Sequence, residues 1–188
     1  MKRRSKKLQT NSYQKVVDDF KSAIDWVSKY QANVRSSRLG HYNSILELLI
    51  SSYNSGSTMD HFRGKNFEAL INAMYEANEL TCIWEGLKDY ESEELKNRLE
   101  KFVSGPLSVK EETGPSGEAR NMGLELLIAA HMVKSGLDIV LDRDGDITVF
   151  FENKPIFIEC KRVHSPRKLR KNINKAGKQL DRRYNLNP

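Results

Sequence analysis

The chain has 188 residues, 38% hydrophobic and 30% charged, with a formal net charge of +6. That reads as a soluble globular protein with enough chain for a real core, and it excludes a disordered polyelectrolyte. No apolar run approaches the roughly 18 residues a membrane-spanning helix needs.

The charge is uneven. Residues 1–7 carry five Lys or Arg and no acid, and residues 161–188 carry ten against a single acid, Asp181. The stretch between them holds 16 bases and 24 acids. Basic ends on an acidic body suit a polyanionic partner, although solvated helix faces look the same. The opening MKRRSKKLQT has no apolar stretch behind it, so it is not a secretory signal. Cys82 and Cys160 are the only cysteines, which implies neither a disulfide framework nor a zinc site. A reducing cytoplasm is the expected setting.

Residues 1–11 form a basic tail and residues 12–103 read as a helical domain. Tyr13, Val16, Val17, Phe20, Ile24, Val27 and Gln31 follow a three-four rhythm. Tyr42, Ile45, Leu46, Leu49, Ile50 and Tyr53 repeat it. Phe67, Leu70, Ile71 and Met74 form a further segment, Leu80, Ile83, Trp84 and Leu87 another, and Leu95, Leu99, Phe102 and Val103 a last short helix. SGPLSVKEETGPSG, residues 104–117, clusters Gly, Pro and Ser and marks a linker. Residues 118–188 then read helix, three strands, helix. The first helix spans Glu118 to Lys134, with Gly136 as its C-terminal stop. Strands are expected at Leu137–Leu141, Asp146–Phe151 and Pro155–Cys160. The last helix runs from Leu169 to Tyr184, with Ile173, Ala176 and Leu180 on one stripe.

The chemistry gathers at the third strand. A strand period of two puts Glu159 and Lys161 on one face. If Glu152 and Asn153 form the tip of a hairpin, Phe151 faces Lys154, Asp146 faces Glu159 and Asp144 faces Lys161. A turn centred elsewhere shifts that register, and an odd-length loop throws Asp146 to the other face. On the favoured register Asp146 and Glu159 offer hard oxygen ligands to a divalent cation, and the Cys160 carbonyl offers another. Lys161 beside them suits orienting or deprotonating a water. The bland alternative is a cross-strand ion pair worth little energetically. The Cys160 side chain falls on the opposite face, toward the core.

GLELLIAAHMVKSG, then Asp146-Ile147-Thr148, then Ile158-Glu159-Cys160-Lys161 together resemble the PD-(D/E)XK nuclease superfamily, which has the restriction-endonuclease-like fold. The resemblance covers about residues 118–183 and implies an α/β (α+β) architecture: a helical domain followed by a core with a central mixed sheet flanked by helices. It implies a Mg²⁺-dependent endonuclease, with Mn²⁺ as substitute, acting on DNA in preference to RNA. Restriction, phage defence and mobile-element cleavage are the roles it favours. Asp146 and Glu159 would be metal ligands, Lys161 would assist the water, and Glu125 on the preceding helix would complete the site. Glu118, two turns earlier, is the alternative helix acid. Gln179 resembles a supporting glutamine. The family core carries one more strand after the last helix, so the core is expected to be truncated. The basic run holding Arg162, Arg167, Lys168, Arg170, Lys171, Lys175 and Lys178 would hold phosphates without reading sequence. A homodimer is compatible with all of this, a membrane is not expected, and the rival reading is a non-catalytic nucleic-acid-binding protein that keeps the fold.

Overall fold

A computed structural model describes residues 12–107, 117–142, 146–152, 154–163 and 166–186, with Thr58, Met59 and Leu186 described by backbone alone. The basic tail, most of the linker, Asp144 and Asn153 lie outside the described residues. The helical half comprises α1 (Tyr13–Val27), a 3₁₀ turn (Val34–Ser36), α2 (Arg38–Asn54), the single turn α3 (Thr58–His61), α4 (Lys65–Leu87) and α5 (Glu93–Val103). Then follow α6 (Glu118–Lys134), β1 (Asp138–Leu141), β2 (Ile147–Phe151), β3 (Lys154–Ile158) and α7 (Pro166–Leu186). The chain is of the α+β class. The expected mixed sheet is, among the described residues, a three-stranded antiparallel one in the order β1-β2-β3. No described helix is long and apolar enough to cross a membrane.

Serine caps start three helices: the Ser12, Ser37 and Ser92 hydroxyls accept the backbone N–H of Lys15, Leu39 and Leu95. The α1 rhythm reaches Gln31 in sequence, but the helix ends at Val27, where Ser28 caps it and turns its hydroxyl back to the Ile24 carbonyl. The two apolar segments read between Phe67 and Leu87 are one helix, α4. The rhythm breaks at Glu76 because that acid occupies a buried position, paired with Arg38 at 3.2 Å and Arg120 at 3.4 Å.

One hydrophobic cluster runs across the 104–117 boundary, from Phe20, Leu80 and Leu99 to Leu126, Ile147 and Val149. Helix α6 reaches α4 and α5 through small residues. A Cβ on Gly86 would lie 2.6 Å from the Ala130 Cβ, and one on Gly123 would lie 3.0 Å from the Phe102 ring. Helix α6 ends as its sequence announces. Gly136 takes φ +79°, its N–H bonds to the Val133 carbonyl at 2.9 Å, and the Leu137 N–H returns to Met132 at 3.1 Å. That is a Schellman closure, and it aims the chain into β1.

The β2–β3 hairpin has the register expected from a two-residue turn, with Phe151 opposite Lys154 and Ile147 opposite Ile158. Glu152 holds φ +49° in that turn. An L-residue other than Asn, Asp or Gly is disfavoured in this region, by roughly 1 kcal/mol. Replacing Glu152 with Asn is expected to raise the urea unfolding free energy by about 0.5–1 kcal/mol, while a lower value would mean that the Glu152 side chain does something useful. Pairing starts at Ile147, one residue inside the expected start of the second strand at Asp146, and stops at Ile158, two residues short of the expected end of the third at Cys160. The Cys160 N–H bonds to the Asp146 carboxylate, so a side chain continues the pairing where the backbone ladder stops.

The sheet is covered unequally. Ile139, Leu141, Ile147 and Val149 face the core. On the other face, Thr148 and Phe157 meet Arg183 of α7, whose guanidinium donates to the Thr148 hydroxyl at 2.9 Å and lies 4.4 Å from the Phe157 ring centre. Helix α7 starts at Pro166, a residue suited to a first turn, and its apolar stripe is only partly covered, since Leu169 and Ile173 are exposed.

Candidate active site

The hairpin register builds the centre of the site. Asp146 immediately precedes β2 and Glu159 immediately follows β3, so the last paired rung, Ile147 with Ile158, delivers both acids to one end of the sheet. Lys161 joins them. Its Nζ donates to Glu159 Oε2 at 2.8 Å and to Asp146 Oδ2 at 3.3 Å. The Glu159 side chain is fully enclosed, and those of Asp146 and Lys161 are 14% and 22% exposed. The pairing is therefore not the solvated surface ion pair of the bland alternative.

Burial alone would pull the Lys161 ammonium down. The bond to Glu159 and the charge of Asp146 outweigh it and hold the group above its ordinary value. At neutral pH Lys161 is an ammonium, a donor rather than a ready base.

Glu125 lies on α6, and its carboxyl feels the charges of Asp146, Lys161 and Glu159. It is buried and accepts from Arg98 Nη1 at 2.6 Å. Its carboxyl is pushed up to about 7, first by burial and then by the Asp146 charge, against the pull of Arg98 and Lys161. Glu118, the alternative helix acid, is half-exposed and pairs with Lys101 at 2.9 Å on the surface. Cys160 is buried, and burial followed by the charges of Asp146 and Glu125 pushes its thiol up to about 12. A thiol held in its protonated form is a poor nucleophile. The Cys160 backbone, not its sulfur, serves the site.

The donor set suits a hard cation. Among the described residues no three His, Cys, Asp or Glu form a ready-made metal cluster. Glu159 Oε1, however, is a buried carboxylate oxygen with no hydrogen-bond partner. An enclosed anionic oxygen is costly unless a positive charge or a donor meets it. Carboxylates from Asp146, Glu159 and Glu125 are the hard oxygen ligands that Mg²⁺ or Mn²⁺ prefers.

The expected phosphate-holding residues separate into two groups. Arg162, next to Lys161, is half-buried, and its charge reaches Glu79 of α4. Arg167, Lys168, Arg170, Lys171, Lys175 and Lys178 are exposed along α7, and all but Lys168 line one open groove with Asn174. Gln179 is half-buried, and its amide oxygen is enclosed without a partner.

Two buried arginines around this region, Arg98 and Arg183, were not singled out by sequence. Arg98 falls on the α5 stripe of Leu95, Leu99 and Phe102, where an apolar residue would ordinarily sit. Arg183 continues the α7 stripe of Ile173, Ala176 and Leu180. A cation at a core position of an amphipathic helix was the available signal in both cases.

No protein-family model, curated protein or solved structure matches the chain, so the site stands on its own geometry.

Proposed function

We propose that the chain is a divalent-cation-dependent nuclease of the PD-(D/E)XK type, hydrolysing phosphodiester bonds in DNA in preference to RNA, in restriction, defence or mobile-element cleavage. The observation that carries the reading is the convergence of Asp146, Glu159 and Lys161 at one sheet end, with the Asp146 charge felt by Glu125 of α6. The oxygens of Asp146, Glu159 and Glu125, with the Cys160 carbonyl, would hold Mg²⁺ or Mn²⁺, which neutralises phosphate charge and makes water a better nucleophile.

The chain's own groups supply the rest. Lys161 holds its proton at Nζ and presents a charged donor where the phosphate oxygens would lie. The α7 cations bind the flanking phosphates and set position without reading bases. In the overall reaction the water oxygen bonds to phosphorus, the P–O3′ bond breaks, and the proton released from water ends on the 3′-oxygen.

A second reading has one observation in its favour: Lys161 already closes on both acids, as it would in a scaffold that only binds nucleic acid. Cleavage of supercoiled plasmid with Mg²⁺ or Mn²⁺ against EDTA separates the two. Wild type is expected to nick only with the cation, and Lys161→Ala to be slower by about 10²-fold or more. Salt-sensitive DNA binding with no cleavage by wild type would favour the binding-only protein.

A further inference from the structure

We propose that Arg98 is the positioning residue of this site, a buried guanidinium that fixes the Glu125 carboxylate to the end of β1 and so couples the N-terminal helices to cation binding. The proposal rests on the nuclease reading in taking Glu125 for a cation ligand.

The geometry is that of a three-way clamp. Arg98 is 4% exposed. Its Nε donates to Glu94 Oε1 at 3.1 Å, one turn earlier on α5. Its Nη1 donates to Glu125 Oε2 on α6 at 2.6 Å, and its Nη2 donates to the Asp142 carbonyl at the end of β1 at 2.7 Å. Three directions from one rigid plane suit a guanidinium, whereas a lysine nitrogen on a flexible stem is a single point. The clamp extends further. The Asp142 carboxylate accepts from Arg183 Nη2 at 2.7 Å, and Arg183 holds α7 to the sheet. Asp142 thus ties the helix that clamps Glu125 to the helix that carries the phosphate-binding cations.

The charges require such a group. Lys161 meets Asp146 and Glu159 on the sheet, and Arg98 meets Glu125 on the helical side. Other buried arginines serve a different place: Arg38 and Arg120 both pair with Glu76. Arg98 pairs with the acid whose carboxyl feels Asp146 and Glu159. Groups that orient a ligand from behind typically carry 10–100-fold in metal affinity.

The test is Mn²⁺ binding to the whole chain without DNA, followed by electron paramagnetic resonance of free Mn²⁺, with thermal unfolding in EDTA measured alongside. Arg98→Lys, which keeps a buried cation, is expected to bind about 10-fold more weakly or worse, and Arg98→Met more weakly still. Glu94→Gln, which removes only the outermost partner, is expected to stay within about threefold of wild type. If Arg98→Met does not fold, Arg98→Lys decides. A lower unfolding midpoint for Arg98→Lys with unchanged Mn²⁺ affinity would reduce Arg98 to a fold-holding residue and overturn the proposal. Failure of wild type to bind Mn²⁺ would instead overturn the metal reading itself, and the Arg98 role with it.

Discussion

Asp146→Ala is expected to abolish cleavage and to weaken the fold, whereas Asp146→Asn is expected to abolish cleavage with a smaller loss of stability. The carboxylate does two jobs in this structure. It accepts the Cys160 N–H, closing the end of the hairpin, and it accepts from the Lys161 ammonium. Alanine leaves a buried N–H without its acceptor and Lys161 with one carboxylate partner fewer, which together cost about 2–3 kcal/mol. Asparagine keeps an oxygen in reach of the N–H and loses only the charge, so about 1 kcal/mol is expected. The chemistry does not survive either change, because a neutral amide is a poor partner for a hard divalent cation. Loss of several kcal/mol of charge stabilisation corresponds to a rate decrease on the order of 10³-fold. Urea unfolding is best measured near pH 6, where the Glu125 carboxyl is mostly protonated and its repulsion from Asp146 is small. Cation-dependent nicking by Asp146→Asn at the wild-type rate would remove Asp146 from the site. Equal stability of Asp146→Ala and wild type would show that the side-chain rung does not hold the hairpin.

The centre of the site was legible because short-range rules govern it. A two-residue turn fixes a hairpin register, so Asp146 and Glu159 become neighbours once Glu152 and Asn153 are taken as the tip. The end of α6 was legible because Gly136 follows it, where a left-handed residue is required. What was not legible depends on long-range charge. Arg98 bonds to Glu125 and Asp142, 27 and 44 residues away in sequence, and no local pattern announces either pairing. Glu76 broke the apparent rhythm of α4 for the same reason, since its partners Arg38 and Arg120 lie on α2 and α6. Buried charges defeat a hydrophobicity reading twice: they interrupt the apolar stripe that reveals a helix, and they hide the contact that explains them. The sequence also could not reveal that the helical half bonds to Glu125. The linker composition at 104–117 suggested separate units, whereas Arg98 and Glu125 stand on opposite sides of it, joined at 2.6 Å.

Glu125 leads to the second large effect, a pH dependence of stability in the cation-free protein. Its carboxyl lies at about 7 in the fold, raised from an ordinary value of 4.5, with burial as the main cause. A raised carboxyl means that the folded state holds its proton more tightly than the unfolded chain does. Its contribution to stability is therefore full below about pH 4.5, declines as pH rises, and is lost above about pH 7. The shift corresponds to about 3 kcal/mol between those limits, and the side chain is 7% exposed, so solvent does little to reduce it. In EDTA, the difference in unfolding free energy between wild type and Glu125→Gln should move by about that amount from pH 5 to pH 8, in favour of the variant. For a chain of this size that is a relative shift in midpoint of roughly 5–10 °C. A cation bound through Glu125 must reverse the trend, because it favours the ionised carboxylate. At pH 8, Mn²⁺ at 100 times its dissociation constant should return about 2.7 kcal/mol to wild type and clearly less to Glu125→Gln. A difference that stays flat across pH would mean that Arg98 already keeps Glu125 ionised, turning the pair into a permanent salt bridge. A Mn²⁺ effect equal in both proteins would leave the cation to Asp146 and Glu159 and make Glu125 part of the scaffold.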